Sequence, residues 1–548
     1  MTRKRHISII LAVAVFAAVF AVWGVADVSA NRGHRLKDPI WTESGFVAGT
    51  LMDLQTYSAE SVFTQTGMDL GAITVGELGN EIRIYLGIPY AAPPVGDLRW
   101  KPPQPVTPWE GIRQTATLGK WATQAYPTGV RYGYIQESGM SEDCLYLNVL
   151  TPAKKNTDCL PVMVWFHGGG LWGQSGHRDI YNSPGLAQRG VVHVTVSHRL
   201  NVMGYMAHPA LSAESPQGTS GNYGMLDLVA ALKWVRNNIA AFGGDPGRVT
   251  IFGQSGGGNK VQWLMTSPLS KGLFHGAISQ SGYGSLTQIA DAEQNGVDFA
   301  AALANGCADD DISYPSIMEP CAPGSSDELA AMRALPWQDL VDQANYCGFY
   351  RINPTADGWS TLDYGSYWEL FQAGMQHDVP FIIGKTKNDI GPVSSGTVDL
   401  VANATLRSSP MWVYEFTYIP TNWKQPGVEA WHSLENGYVF GNWPFVPLIN
   451  YASYGVRAGL TDPDPGFDER DPWMSEWLMQ TWIRFAKTGD PNPRCSKQSK
   501  RGPKGFKKDD SYQFEGQSVP KWLPHTAESD HFLQIDYPPV LHSGLPLP

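Results

Sequence analysis

The stretch that most limits what this chain can fold into is Val249-Thr-Ile-Phe-Gly-Gln-Ser-Gly-Gly-Gly-Asn-Lys260. A β-branched run ends at Phe252, a G-x-S-x-G string occupies residues 253–257, and a segment rich in Val, Trp, Leu and Met follows. The order reads as strand, sharp turn and helix, with Ser255 at the apex of a nucleophile elbow. A serine in so tight a turn is strained. Glycines on either side remove Cβ atoms that would collide where strand and helix pass.

The flanking pattern suits that reading. Residues 145–150, 162–166 and 191–196 are apolar runs of strand length, as expected of a central sheet covered on both faces. Leu226, Val229, Ala230, Leu232 and Val235 recur at helical spacing before Phe242-Gly-Gly-Asp-Pro246 stops the helix, and the elbow strand follows at once. Further strand-like runs lie at 277–279, 381–383 and 412–416. The alternation predicts an α/β fold with a largely parallel sheet. Residues 284–379 and 421–474 mix helical patterns with Pro and Gly. With no linker-like composition around them, they read as insertions capping the sheet of one domain spanning 31–548.

Apolar residues make up 43% of the 548, enough for a large core. Arg3-Lys4-Arg5, an apolar run over 7–25 and Val28-Ser29-Ala30 predict an export signal over 1–30, with an uncleaved membrane anchor as the alternative. Its removal takes away three basic residues and Asp27, moving the net charge from −11 to −13. So acidic a chain excludes nucleic acid as a partner. The basic run 497–508 contains Gly502, Pro503 and Gly505 and reads as a solvated loop. Six cysteines in an exported chain permit disulfides, and Cys307 with Cys321 bracket a short acidic loop. The other four cysteines cannot be paired from sequence. No C-x-x-C or H-E-x-x-H occurs, so zinc is not expected.

Acyl transfer by serine needs a base, an acid that orients the base, and donors for an oxyanion. His167-Gly168-Gly169-Gly170 follows the strand ending at Phe166 and exposes backbone N–H groups, to which Gly256 adds another. With the order Ser, acid, His, the acid must follow Ser255. Asp389 lies just beyond the buried run at 381–383, although Lys387-Asn-Asp-Ile-Gly391 also reads as a plain surface turn. His432 precedes an aromatic cluster, whereas His525, His531 and His542 lie in a Pro-rich tail and read as solvated.

From residue 45 to 537 the chain resembles the type-B carboxylesterase and cholinesterase family, whose fold is the α/β-hydrolase. The resemblance rests on Gly87-Ile-Pro-Tyr-Ala, Leu98-Arg-Trp, Ser141-Glu-Asp-Cys-Leu-Tyr-Leu-Asn, Gly221-Asn-Tyr-Gly-Met-Leu-Asp, Phe242-Gly-Gly-Asp-Pro, Gln280-Ser-Gly, Asp357-Gly and Phe485-Ala-Lys-Thr-Gly-Asp-Pro. It implies Ser255 as nucleophile, His432 as base, Asp389 at a place where the family usually has Glu, and Gly169, Gly170 and Gly256 as oxyanion donors. It also implies that Ser281 supports the acid and that Cys307 pairs with Cys321.

Departures bear on substrate. Gln254 replaces the Glu that often precedes the serine, Gly256 stands where Ala is commoner, and no Trp stands in the stretch just before Ser141, with Tyr132 and Tyr134 nearest. A cationic choline substrate is therefore disfavoured. Cys144 lacks its usual upstream partner, leaving that bridge absent or rewired to Cys159.

The expected activity is a secreted serine carboxylesterase acting on neutral, small-molecule or lipid-like esters without cofactor or required membrane partner. Alternatives are a lipase, an aryl or toxin-type esterase, or a catalytically silent binding protein. One sequon, Asn403-Ala-Thr405, is present.

Overall fold

The structure is a computed structural model that describes residues 38–52, 81–125, 139–309, 312–389, 408–443, 460, 465–493, 511–526, 529 and 531–543. The N-terminal apolar run, Tyr132, Tyr134, the sequon, Cys495 and the basic run lie outside the described residues.

Eleven strands build the central sheet among the described residues: β1 (Thr50–Leu51), β2 (Arg83–Pro89), β3 (Tyr146–Thr151), β4 (Leu160–Phe166), β5 (Val192–Val196), β6 (Gly244–Gln254), β7 (Gly276–Gln280), β8 (Phe381–Thr386), β9 (Met411–Phe416), β10 (His531–Ile535) and β11 (Val540–Ser543). Their spatial order is β11-β10-β9-β8-β7-β6-β4-β5-β3-β2-β1. From β10 to β5 every pairing is parallel, and the outer pairings are antiparallel.

The continuous apolar runs follow from burial on both faces. Val162, Val164 and Phe166 of β4 enter one core with Met225, Leu228 and Leu232 of helix α1 (Tyr223–Asn238). The alternate residues Met163 and Trp165 enter a second core. Helix α2 (Gly256–Thr266) continues directly from the turn after β6.

In the first long insertion, helices α3 (Ile289–Asn305), α4 (Ser326–Ala334) and α5 (Trp337–Tyr346) close a smaller core around Phe299, Leu303, Met332 and Leu340, into which Trp100 and Met203 also pack. Helix α6 (Arg470–Thr488) lines the second core with Trp473, Trp477 and Trp482. Each such fully buried large side chain contributes roughly 2 kcal/mol of transfer free energy.

Three expectations are corrected. Cys307 bonds Cys347, not Cys321: packing of α3 against α5 brings Cys307, just past one helix, to Cys347 at the end of the other, with Cα atoms 5.8 Å apart. Cys321 is a half-buried free thiol. Cys144 and Cys159 are free as well, one buried and the other exposed, so no rewired bridge forms. The tail histidines are structured rather than solvated: His525 is 2% exposed and its backbone N–H donates to the carbonyl of Met411, while His531 lies opposite Ser543 and His542 opposite Phe532 in the β10–β11 pair.

Candidate active site

The loops leaving β4, β6, β7, β8 and β9 all open at the carboxyl edge of the parallel sheet, the edge at which α/β sheets bind ligands. Ser255 sits between β6 and α2 with φ 59° and ψ −125°, a left-handed conformation that side chains rarely adopt. Two glycines permit the turn. A Cβ on Gly257 would overlap the carbonyl of Phe166, and one on Gly256 would overlap the backbone of Gly170. The second clash explains why glycine stands at 256: the Gly168–Gly170 loop lies directly against it. The N–H groups of Gly169, Gly170 and Gly256 donate to no acceptor among the described residues. Ser255 Oγ likewise hydrogen-bonds to no described residue and is partly open to solvent.

Asp389 and His432 arrive on separate loops that are pinned together. Asn388 N–H donates to the Ala430 carbonyl at 2.8 Å, and Asn388 bridges Trp431. Thr386 N–H donates to Asp389 Oδ2 at 3.2 Å. Asp389 Oδ1 then meets His432 Nδ1 directly, with side chains 4% and 2% exposed, so the shorter acid reaches its partner.

The other ring nitrogen, His432 Nε2, lies 3.2 Å from the Gln254 side-chain Nε2, and Gln254 Oε1 accepts from Ser433 Oγ at 2.9 Å and Asn436 Nδ2 at 3.4 Å. With Nδ1–H turned to the carboxylate, Nε2 is an acceptor, and the amide of Gln254 donates to it. Ser281 departs from expectation. Its backbone N–H donates to Gly384, but its buried hydroxyl has no partner among the described residues and does not reach Asp389.

The chain is similar to known proteins over most of its length. The profile of the carboxylesterase family matches residues 58–399 and 392–545. The chain belongs to the carboxylesterase family. It is 35% identical over 518 residues to a fumonisin B1 esterase of Sphingopyxis macrogoltabida, covering 86% of this chain and 92% of that one. It is 38% identical over 545 residues to pyrethroid hydrolase Ces2e of Rattus norvegicus, covering 88% and 87%. A solved structure of PNB esterase matches with a TM-score of 0.68 over 92% of this chain and 96% of that chain, at 25% identity. The carboxylesterase therefore has the α/β-hydrolase fold and is a carboxylic ester hydrolase.

Two features of the carboxylesterase's site escaped the sequence reading. Lys260 is buried and its Nζ donates to the His167 carbonyl at 2.8 Å, anchoring the root of the Gly168–Gly170 loop; burial holds its amine well below the usual range. Glu435, also buried, is pushed up to about 8 by desolvation first and by the charge of Asp389 second, so it is a neutral acid at pH 7. The H-S-L-E spacing was the available signal for Glu435. Lys260 gave none, since lysine on a helix after a turn ordinarily reaches solvent. Among the described residues no cluster of metal-ligating side chains occurs, and no helix is long and apolar enough to cross a membrane.

Proposed function

We propose that Ser255, His432 and Asp389 form the catalytic triad of a secreted, single-domain esterase that works through an acyl-enzyme. Ser255 Oγ attacks the ester carbonyl carbon while His432 Nε2, released by Gln254, takes the hydroxyl proton. The oxyanion that forms is met by the three free N–H groups of Gly169, Gly170 and Gly256, each worth on the order of 3 kcal/mol in the transition state. The tetrahedral adduct collapses, the C–O bond to the alcohol breaks, and the imidazolium returns its proton to the departing oxygen. Water repeats the sequence on the acyl-enzyme and frees the acid.

The observation that supports this reading is the pinned Asp389–His432 contact, which meets Gln254 next to a strained serine, with three backbone N–H groups that reach no acceptor among the described residues. Likeness to a fumonisin B1 esterase and a pyrethroid hydrolase favours the aryl or toxin-type ester over an interfacial lipid substrate. The test is hydrolysis of p-nitrophenyl butyrate by the mature chain beside Ser255→Ala. Loss of turnover in the variant supports the triad. Absence of turnover and of a p-nitrophenol burst in the unmutated chain leaves the silent binding protein as the better reading.

A further inference from the structure

The rim of the site carries an aromatic cluster with one cation. Trp172, two residues beyond the oxyanion loop, lies so close over Gly170 that a Cβ there would overlap the indole. Tyr350 meets Trp172 edge-on, at 6.1 Å between centroids and 88° between planes. The guanidinium carbon of Arg351 lies 5.2 Å from the Tyr350 centroid and 5.8 Å from that of Trp172. Tyr283, 38% exposed, stands on the loop after β7. Its hydroxyl is pushed up by partial burial and by the charge of Asp389, and is drawn back down by Arg351, so both charges reach it. Arg351 is thus one tryptophan away from the oxyanion glycines and within electrostatic range of the site.

Arg351 differs in the use of its donors from two other arginines that lie over rings. Arg99 and Arg199 also stack on rings, over Trp100 and Tyr223, yet each commits its fork to a carboxylate of the chain, Glu142 and Asp227 respectively. Arg351 is exposed and makes no ion pair or hydrogen bond with any described residue. The guanidinium lies beside two aromatic rings while its N–H groups meet no acceptor among the described residues, which lowers the ordering cost of binding an anion. On a chain of net charge −11, which repels anions at long range, a held cation at the mouth is a local exception.

We infer that Arg351, seated on Trp172 and Tyr350, is a subsite for a carboxylate carried by the ester substrate. The planar fork matches a carboxylate bidentately, and one monoanion balances one cation. The assignment rests on the Ser255 esterase reading and narrows it to esters that bear a free acid group, in place of the neutral esters expected from the sequence.

The test compares ethyl hydrogen succinate, acid on the acyl half, and O-butyryl glycolate, acid on the alcohol half, each against its neutral primary amide, with p-nitrophenyl butyrate as a general ester. The unmutated enzyme is expected to prefer at least one acid ester by about tenfold in kcat/KM, mainly through KM. Arg351→Gln should erase that ratio and Arg351→Lys restore part of it. Raising salt from about 0.05 to about 0.5 M should shrink the ratio in the parent alone. If p-nitrophenyl butyrate is hydrolysed but neither acid ester shows a preference that depends on Arg351, the carboxylate subsite is wrong and the esterase reading stands. If no ester is turned over, both readings fall.

Discussion

On the serine side of the active site, position is set by backbone packed against backbone. Ser255 keeps its left-handed turn because Gly257 lies against the Phe166 carbonyl and Gly256 against Gly170, contacts that no side chain survives. On the histidine side, position is set by side-chain hydrogen bonds among groups far apart in sequence. His432 is held by Asp389 on one nitrogen and Gln254 on the other, with a neutral Glu435 buried nearby. Steric placement tolerates no added atom. Hydrogen-bonded placement tolerates any residue offering the same donor or acceptor at the same reach.

Substitutions should separate the two. Asp389→Asn keeps the shape but presents the wrong partner to Nδ1, and should lower kcat by about 10⁴-fold. Asp389→Glu, the residue usual in the family, should retain most activity in the same p-nitrophenyl butyrate assay. Gly256→Ala has no such rescue. The methyl group would push the oxyanion loop aside, and kcat should fall by about 10²- to 10³-fold while the fold, followed by circular dichroism, persists.

Gln254→Glu places an anion against the imidazole and favours its protonated form. The acidic limb of the kcat/KM profile should therefore move up by about one pH unit. An unmoved limb would mean that Gln254 does not face His432 in solution.

Glu435 tests the buried charge on the histidine side through stability. The unfolded chain ionises this carboxyl near its ordinary value, whereas the folded chain keeps the proton up to about 8. Between those limits the unfolded state binds fewer protons, so the parent loses stability as pH rises, by at most about 1.4 kcal/mol per unit, and levels off above that range. Glu435→Gln should remove this fall, seen as a flatter plot of melting temperature against pH from about 5 to about 9, with activity little changed.

The same contrast explains what was legible in the sequence. Steric requirements leave a local signature, so the elbow, the His167–Gly170 loop and the apolar strands at 162–166 and 191–196 were readable as strings. Pairings made across the fold leave none. Cys307 was matched to the cysteine nearest a loop, whereas helix packing delivers it to Cys347, forty residues away. His525 was read as solvated because its neighbours are prolines, yet the edge of β9 buries it. In the sequence Gln254 reads as a lost carboxylate, while in the structure its amide meets the ring of His432.

The most direct test of the triad is intact-protein mass spectrometry after exposure to diethyl p-nitrophenyl phosphate, with p-nitrophenol release measured alongside. One diethylphosphoryl adduct per chain, mapped to the Ser255 peptide, matched by one equivalent of p-nitrophenol and lost in Ser255→Ala and Asp389→Asn, is the expected result. An adduct that persists in Ser255→Ala, or none on the folded parent, would contradict the assignment of Ser255 as the activated nucleophile.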